Sequence, residues 1–269
     1  MGEKVAVLGA GKMGEALMSG LLRAGRQPGD LVFTERHAER TKMLEERYAI
    51  RGVSTAQAAE EADTLLVAVK PQEMSNLLDE LAPAATPANL VITIAAGIPT
   101  AFLENRLAAG TPVVRVMSNT PVFVDQAMSA ISAGAHATED HLERTEQLLS
   151  PVGKVIRVPE AQLDAVTALS GSGPAYFFYL VEAMIDAGIL LGLPRAVAAE
   201  LIVQTAVGSA QMLRDSGEHP VQLRDAVTSP GGTTIAAIRE LENHGVRAAL
   251  LAALEAARDR SRELAQGIG

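Results

Sequence analysis

The sequence contains no cysteine, which excludes disulfides, thiolate metal sites and a cysteine nucleophile together. That absence fits a reducing compartment, and a cytoplasmic location is expected. Tryptophan is also missing and aromatics are 3% of the chain, so any core must be assembled from Ala, Val, Leu and Ile. Acidic residues outnumber basic ones, and a formal charge of −9 leaves no basic face for nucleic acid or an anionic membrane. No basic-then-apolar leader precedes the first strand-like run, so no secretory signal is expected. Uncharged runs of bilayer length are lacking too. The longest apolar stretch, Ala175–Gly192, carries Glu182 and Asp186 in its middle, which is costly in lipid, and it reads as a buried core helix. His37, His136, His141, His219 and His244 are scattered without ligand spacing. They read as surface or capping residues, and no metal site is expected.

What is present has two grammars. At 269 residues the chain is comfortable for two cores. From Lys4 to about Val158, short apolar runs alternate with helical segments. The runs are Val5–Leu8, Leu31–Thr34, Thr64–Val69, Leu90–Ile94 and Val113–Met117, with Ser129–Ser132 and Lys154–Val158 as edge strands. Between them lie Gly14–Ala24, Ala38–Tyr48 and Met74–Leu81. Continuous apolar strands separated by helices mean a parallel sheet covered on both faces. Residues 1–158 are therefore expected to form a Rossmann-type, doubly wound parallel sheet. After Pro159 strand runs vanish, and roughly five or six helices are expected over 159–269, an all-α domain. Pro174, Pro194 and Pro230 sit where helices can begin, Gly192 and Gly217 where they can end. These helices are apolar on more than one face, as Leu190-Leu191 and Leu201-Ile202-Val203 illustrate. A segment of this size cannot cover them alone, so a second copy of the chain is expected as the cover.

The strongest local signal is Gly9-Ala10-Gly11-Lys12-Met13-Gly14, directly after the first strand and opening a helix. In that setting Gly9 permits the tight turn, Gly11 lets backbone approach a pyrophosphate, and Gly14 lets helix and strand pack closely. The helix start supplies amide donors to the phosphates. At the end of the second strand, Glu35 stands where an acid would bind the adenosine ribose of NAD. Thr34 and Arg36 beside it suit a 2′-phosphate instead. We read NADP, with Glu35 turned to solvent or paired with Arg40, and NADH as the alternative. Ala68-Val69-Lys70-Pro71 and Ala95-Ala96-Gly97 close two further strands at the same crevice. The small residues at 95–97 would let a nicotinamide ring lie flat on the backbone; Lys70 is a cofactor contact or merely an exposed strand-end charge.

In the second half, Ser170–Tyr176 reads as a tight turn feeding a long helix. Ser229-Pro230-Gly231-Gly232-Thr233-Thr234 is a second glycine-rich helix entry, with free amides and three hydroxyls suited to a small carboxylate or phosphate.

With Asp164–Tyr176, Thr228–Thr234, Ala236-Ala237-Ile238 and Met117–Pro121 added to the N-terminal motifs, the chain resembles the pyrroline-5-carboxylate reductase family, actinobacterial members most of all. The likeness runs in order along nearly the whole sequence. It implies reduction of Δ1-pyrroline-5-carboxylate to L-proline by NADPH, in a homodimer with interlocking helical domains or a ring of such dimers. It further implies that Ser229, Gly231, Gly232, Thr233 and Thr234 hold the substrate carboxylate, with the Thr234 hydroxyl facing the ring nitrogen. By the same resemblance Glu160 is a substrate-pocket acid and Asn119 lies by the cofactor. Two positions depart from the family pattern: Ser118 stands where Pro is common, and Ala226 where some members have Asn.

Hydride transfer to a carbon–nitrogen double bond needs alignment and a polarised acceptor rather than a nucleophile. No His or Lys in the second half is placed as an obvious acid, and the hydroxyl that the resemblance puts at the ring nitrogen, Thr234, can help hold or deliver the proton. Rival readings are a β-hydroxyacid dehydrogenase or imine reductase of the same two-domain plan, which would want a helix Lys or Asp, and a non-catalytic dinucleotide-binding protein. The intact Ser229–Thr234 entry speaks against the latter.

Overall fold

The structure is a computed structural model and describes residues 3–266. The first half alternates strands and helices: β1 (Val5–Leu8), α1 (Lys12–Arg23), β2 (Leu31–Thr34), α2 (Ala38–Tyr48), β3 (Arg51–Gly52), α3 (Thr55–Glu61), β4 (Thr64–Val67), α4 (Met74–Leu81), β5 (Leu90–Thr93), α5 (Thr100–Glu104), β6 (Val113–Met117), β7 (Ala127–Ala133), α6 (Glu139–Leu149) and β8 (Gly153–Arg157). The strands form one sheet in the order β3-β2-β1-β4-β5-β6-β7-β8. Pairing is parallel from β3 to β6, β7 runs antiparallel to β6, and β8 is parallel to β7. The expected strands are all present; β3, two residues long, carries too few apolar residues to announce itself.

Side chains alternate across the strands, and two buried layers result. Val5, Val7, Phe33, Leu66, Ile92 and Val116 share one layer with Leu17, Met18 and Leu21 of α1 and with Leu148 and Leu149 of α6. Ala6, Leu8, Val32, Leu65, Val67 and Val91 share the other with Ala58 and Ala59 of α3 and with Met74, Leu78 and Leu81 of α4. Strand order reverses between β1 and β4, so the loops after these strands open a crevice at their carboxyl ends, the place where such sheets bind ligands.

Beyond the sheet lie α7 (Leu163–Val166), α8 (Gly173–Leu190), α9 (Arg195–Ser216), α10 (Pro220–Ala226), α11 (Thr233–Asn243) and α12 (Val246–Gln266). Two compact units result: residues up to Ser172 and from Ala257 on form one, Gly173–Ala256 the other. The expected division at 158/159 thus differs from the division by compactness. Leu163 and Ala168 are buried, and the Ser261 hydroxyl donates to the Asp164 carboxylate at 2.7 Å, which keeps 159–172 and the end of α12 with the sheet.

The expected tight turn at Ser170–Gly173 is instead a π-helical turn, Thr167–Gly171, closed by the Ser172 N–H on the Thr167 carbonyl at 2.8 Å. Pro230 lies ahead of α11 rather than in its first turn.

In the second unit Gly192 (φ +94°) ends α8 and Pro194 caps α9, as a helix-stop glycine and a helix-start proline should. A Cβ on Gly188 would lie 2.8 Å from that of Ala198, so the glycine lets α8 approach α9 closely. The Ala175–Gly192 helix, expected as buried, is exposed: no residue of α8 is buried within the chain. By length and composition two helical stretches, 160–190 and 195–216, would suffice to cross a bilayer. Glu182 and Asp186 in the first, with Asp186 paired to Arg195 at 3.0 Å, set polar groups where lipid would have to meet them.

Candidate active site

The glycine loop after β1 is built as its residues dictate. Gly9 has φ +97°, and a Cβ there would sit 2.7 Å from Val69 Cγ1. A Cβ on Gly14 would overlap the Gly9 carbonyl oxygen and crowd Val7 of β1 at 3.2 Å. Gly11, by contrast, has nothing within 4 Å of its Cβ direction. It caps α1 in extended backbone, and no side chain closes the helix start. Among the described residues the N–H groups of Lys12, Met13 and Gly14 have no acceptor. Bare donors over a cradle that a side chain at 11 would fill fit the pyrophosphate of a dinucleotide.

At the neighbouring strand end, Thr34 holds the loop: its carbonyl accepts from Gly9 and Ala10 at 3.3 and 3.0 Å, and its hydroxyl from Gly9 at 3.1 Å. Glu35 does not face solvent. Its carboxylate accepts from the Arg36 and His37 N–H groups at 2.8 and 3.1 Å and lies 3.4 Å from Arg40. Arg40 in turn donates to the Ala10 carbonyl at 2.9 Å and to Glu15 at 2.8 Å. Glu15 also accepts from Arg47 at 3.1 Å and from the Tyr48 hydroxyl at 2.9 Å. Burial, and then that bond to Glu15, push the Tyr48 phenol above its ordinary range. Arg36 is exposed and pairs loosely with Glu73 at 3.4 Å, leaving its guanidinium open to a ligand.

Ala68 and Val69 are half-buried after β4, Lys70 is exposed, and Pro71 opens a short 3-10 turn. After β5, Ala95 and Gly97 are buried while Ala96 is exposed, and Gly97 turns with φ +75°. The loop thus offers backbone and a methyl group to the crevice.

Two expected contacts are placed otherwise. Asn119 has both ends of its amide engaged: Nδ2 donates to the Ser170 carbonyl at 3.0 Å, and Oδ1 accepts from the Met128 N–H at 2.9 Å. Pro174, four residues after Ser170, has no N–H to give that carbonyl, and Asn119 supplies one. Glu160 likewise spends both carboxylate oxygens inside the protein, on Thr100 and Arg115. Both side chains are thus engaged within the protein. Ser118 binds Ser129, hydroxyl to hydroxyl, at 2.9 Å, so the departure at that position has a local use.

In the second unit the turn Ser229–Gly232 closes with the Gly232 N–H on the Ser229 carbonyl at 3.1 Å, and Gly231 has φ +66°. A Cβ on Gly232 would strike the Ser229 hydroxyl. Gly232 then caps α11 with no side-chain partner. Among the described residues the N–H groups of Thr233 and Thr234 have no acceptor, and the Ser229 hydroxyl lies against Gly232, the residue before them. Thr233 is exposed and Thr234 half-buried. This is a second start of bare donors, sized for a carboxylate.

Sequence reasoning missed the Glu15–Arg40 brace and the Glu160–Arg115 pair. A signal existed for the latter: Arg115 interrupts the apolar run Val113–Met117, and a buried guanidinium requires a partner. No metal-binding cluster of His, Asp and Glu occurs among the described residues.

Comparison with known proteins assigns the two halves of the chain to two family models. Residues 160–264 match the family model for pyrroline-5-carboxylate reductase dimerisation, and residues 4–97 that for coenzyme F420-dependent NADP oxidoreductase. A pyrroline-5-carboxylate reductase of Mycobacterium tuberculosis is 46% identical over 97% of this chain and 96% of its own length. The solved Coxiella burnetii pyrroline-5-carboxylate reductase superposes with a TM-score of 0.92 at 35% identity, covering 97% of this chain and 98% of that one. The Plasmodium falciparum pyrroline carboxylate reductase, solved with NADP bound, gives 0.88 at 28% identity over 98% of each chain. This chain belongs to the pyrroline-5-carboxylate reductase family of oxidoreductases.

Proposed function

We propose that the chain reduces Δ1-pyrroline-5-carboxylate to L-proline with NADPH, the last step of proline synthesis, as a homodimer. The observation that carries this reading is the bare start of α11, where Thr233 and Thr234 N–H groups and the Ser229 hydroxyl suit a small carboxylate. The relatives named above lend it support, as does the NADP held by the Plasmodium protein.

Gly9–Gly14 hold the pyrophosphate on the start of α1, and Thr34 and Arg36 take the 2′-phosphate, with Glu35 withdrawn onto Arg40 and its own following N–H groups. The Ala95–Gly97 loop carries the nicotinamide. Ala68–Pro71 close the crevice beside it, with Lys70 available to the phosphates. When bound, the reduced dinucleotide supplies the hydride. On the substrate side Ser229 and Gly231–Thr234 orient the carboxylate, and the Thr234 hydroxyl holds a proton at the ring nitrogen, which keeps the acceptor polarised. The apolar rows on α8 and α9 are covered by the second copy.

Purified protein should oxidise NADPH only when pyrroline-5-carboxylate is added, and kcat/KM should favour NADPH over NADH by about 10–100-fold, the worth of one charge-assisted contact. Oxidation independent of that substrate, or supported equally by a β-hydroxyacid, would overturn the reading.

A further inference from the structure

Glu160 is the first residue of a short 3-10 turn after β8, yet its carboxylate works at the exit of a loop 60 residues earlier. One oxygen accepts from the Thr100 N–H at 2.8 Å and from Arg115 at 3.2 Å, and the other from the Thr100 hydroxyl at 2.8 Å. Thr100 and Arg115 are buried, while the Glu160 side chain keeps 29% of its surface exposed, so these contacts are partly sheltered from water. Thr100 is the first residue of α5, whose preceding Pro99 offers no side-chain cap; Glu160 supplies the cap from a distance.

The segment so held is the Ala95–Gly97 loop. Its near end is fixed by the Ile94 N–H on the Val67 carbonyl at 3.0 Å and by the Ala95 N–H on the Thr93 hydroxyl at 3.3 Å. Ile98, fully buried, anchors the chain directly after it. The exit is held by a side chain from much later in the sequence, Glu160.

We propose that Glu160 is a positioning residue, which fixes the loop carrying the nicotinamide by tying Thr100 to the buried Arg115. The proposal rests on the activity and cofactor site proposed above. It assigns Glu160 a role through the cofactor's support rather than through contact with substrate. Misplacement of a reacting group by about 1 Å lowers turnover by about 100-fold, whereas the glycine loop Gly9–Gly14 proposed to hold the pyrophosphate follows β1 and makes no bond to Glu160.

Three variants of the full chain test this: Glu160→Ala, Glu160→Gln, and Glu160→Met combined with Arg115→Met, which removes the buried charge together with its partner. In Glu160→Ala and in the double variant kcat should fall about 10–100-fold, with the NADPH dissociation constant within about threefold of the parent. The deuterium isotope effect with reduced cofactor labelled at the transferred position should rise in both, as hydride transfer becomes limiting. In the cofactor-free protein, amide exchange at Thr100 should speed up by about tenfold or more in the same two. Glu160→Gln, the same shape without charge, should retain most of kcat. Full recovery of kcat in the double variant would reduce Glu160 to a stabilising partner of Arg115 and overturn the proposal. So would unchanged exchange at Thr100, a loss of NADPH affinity matching the loss of kcat, or a Glu160→Gln variant as impaired as Glu160→Ala. A parent protein with no pyrroline-5-carboxylate-dependent oxidation would instead overturn the activity itself, which separates the two failures.

Discussion

Up to Ser172 the buried positions form two continuous layers on either side of the sheet, whereas in Gly173–Ala256 Ala198 is the only buried residue among those described. Leu190 and Leu191 are 88% and 84% exposed, and Tyr179 of α8 and Leu201 and Val207 of α9 are exposed as well. The first unit closes its own core; the second lays out apolar helices that a single chain leaves wet. Exposed apolar area on that scale marks an interaction surface in a folded protein. The sheet unit thus has a core of its own, and the helical unit, which matches a dimerisation family model, has apolar faces for a second copy to cover. Each nonetheless presents the same device: a glycine-rich turn leading to a helix start without a cap.

The sharpest test of that parallel lies in the helical unit. Thr234→Ala should lower kcat by about 10²–10⁴-fold with NADPH binding unchanged, the range for loss of a group that handles a proton, and Thr234→Ser should recover much of it. Unaltered turnover in Thr234→Ala would leave α11 with carboxylate binding alone.

In the sheet unit, Gly11→Ala and Gly14→Ala should part company. Gly11 faces open space, so the variant should keep its melting temperature and lose NADPH affinity by about 10–100-fold, because the added methyl occupies the phosphate's place. Gly14→Ala meets the Gly9 carbonyl and should lower the melting temperature as well. Equal thermal shifts in the two would break the distinction between a glycine for packing and a glycine for ligand.

Dilution probes the contrast itself. Anything that binds only the folded form stabilises it by mass action, so helical content from the second unit should melt at lower temperature as concentration falls, while NADPH-stabilised melting of the sheet unit stays fixed. Sedimentation should show dimer or larger at working concentration. A monomer with concentration-independent melting of both units would remove the need for a partner.

The smallest effect concerns pH. His141 caps α6 by accepting the Thr138 N–H on Nδ1 at 3.0 Å, which requires the neutral ring. Burial, then the charge of Arg144, hold it below the ordinary histidine value of 6.5. The unfolded chain therefore binds the proton more readily, so this contribution to stability is complete above about pH 6.5 and is lost as pH falls towards the folded-state value. His141→Gln keeps an acceptor at the capping position, and its melting temperature should decline less between pH 7 and pH 5 than that of the parent.

Much of this molecule could be read from residues alone because its signals are local. The runs Val5–Leu8 and Val113–Met117 are strands by composition, and Gly9, Gly11 and Gly14 carry their roles in their spacing. The entry to α11 was legible for the same reason. What escaped reading depends on contacts between distant positions: Arg40 reaching the Ala10 carbonyl, Asn119 reaching Ser170, Glu160 reaching Thr100. The ligand contacts expected of Glu160 and Asn119 came from a family motif, which says nothing of the bonds these side chains also make within the protein. The α8 helix was taken as buried because its composition is that of a core, and composition does not say which chain provides the cover.

The π-helical turn makes Asn119 and Pro174 a linked pair in inheritance. A lineage that replaced Asn119 first would carry a stranded carbonyl at Ser170, since proline at 174 has no hydrogen to offer it. A lineage that replaced Pro174 first would give Ser170 a second donor and leave Asn119 needed only as acceptor for the Met128 N–H. Divergence at these two sites should therefore run in one order, with the ring at 174 lost before the amide at 119.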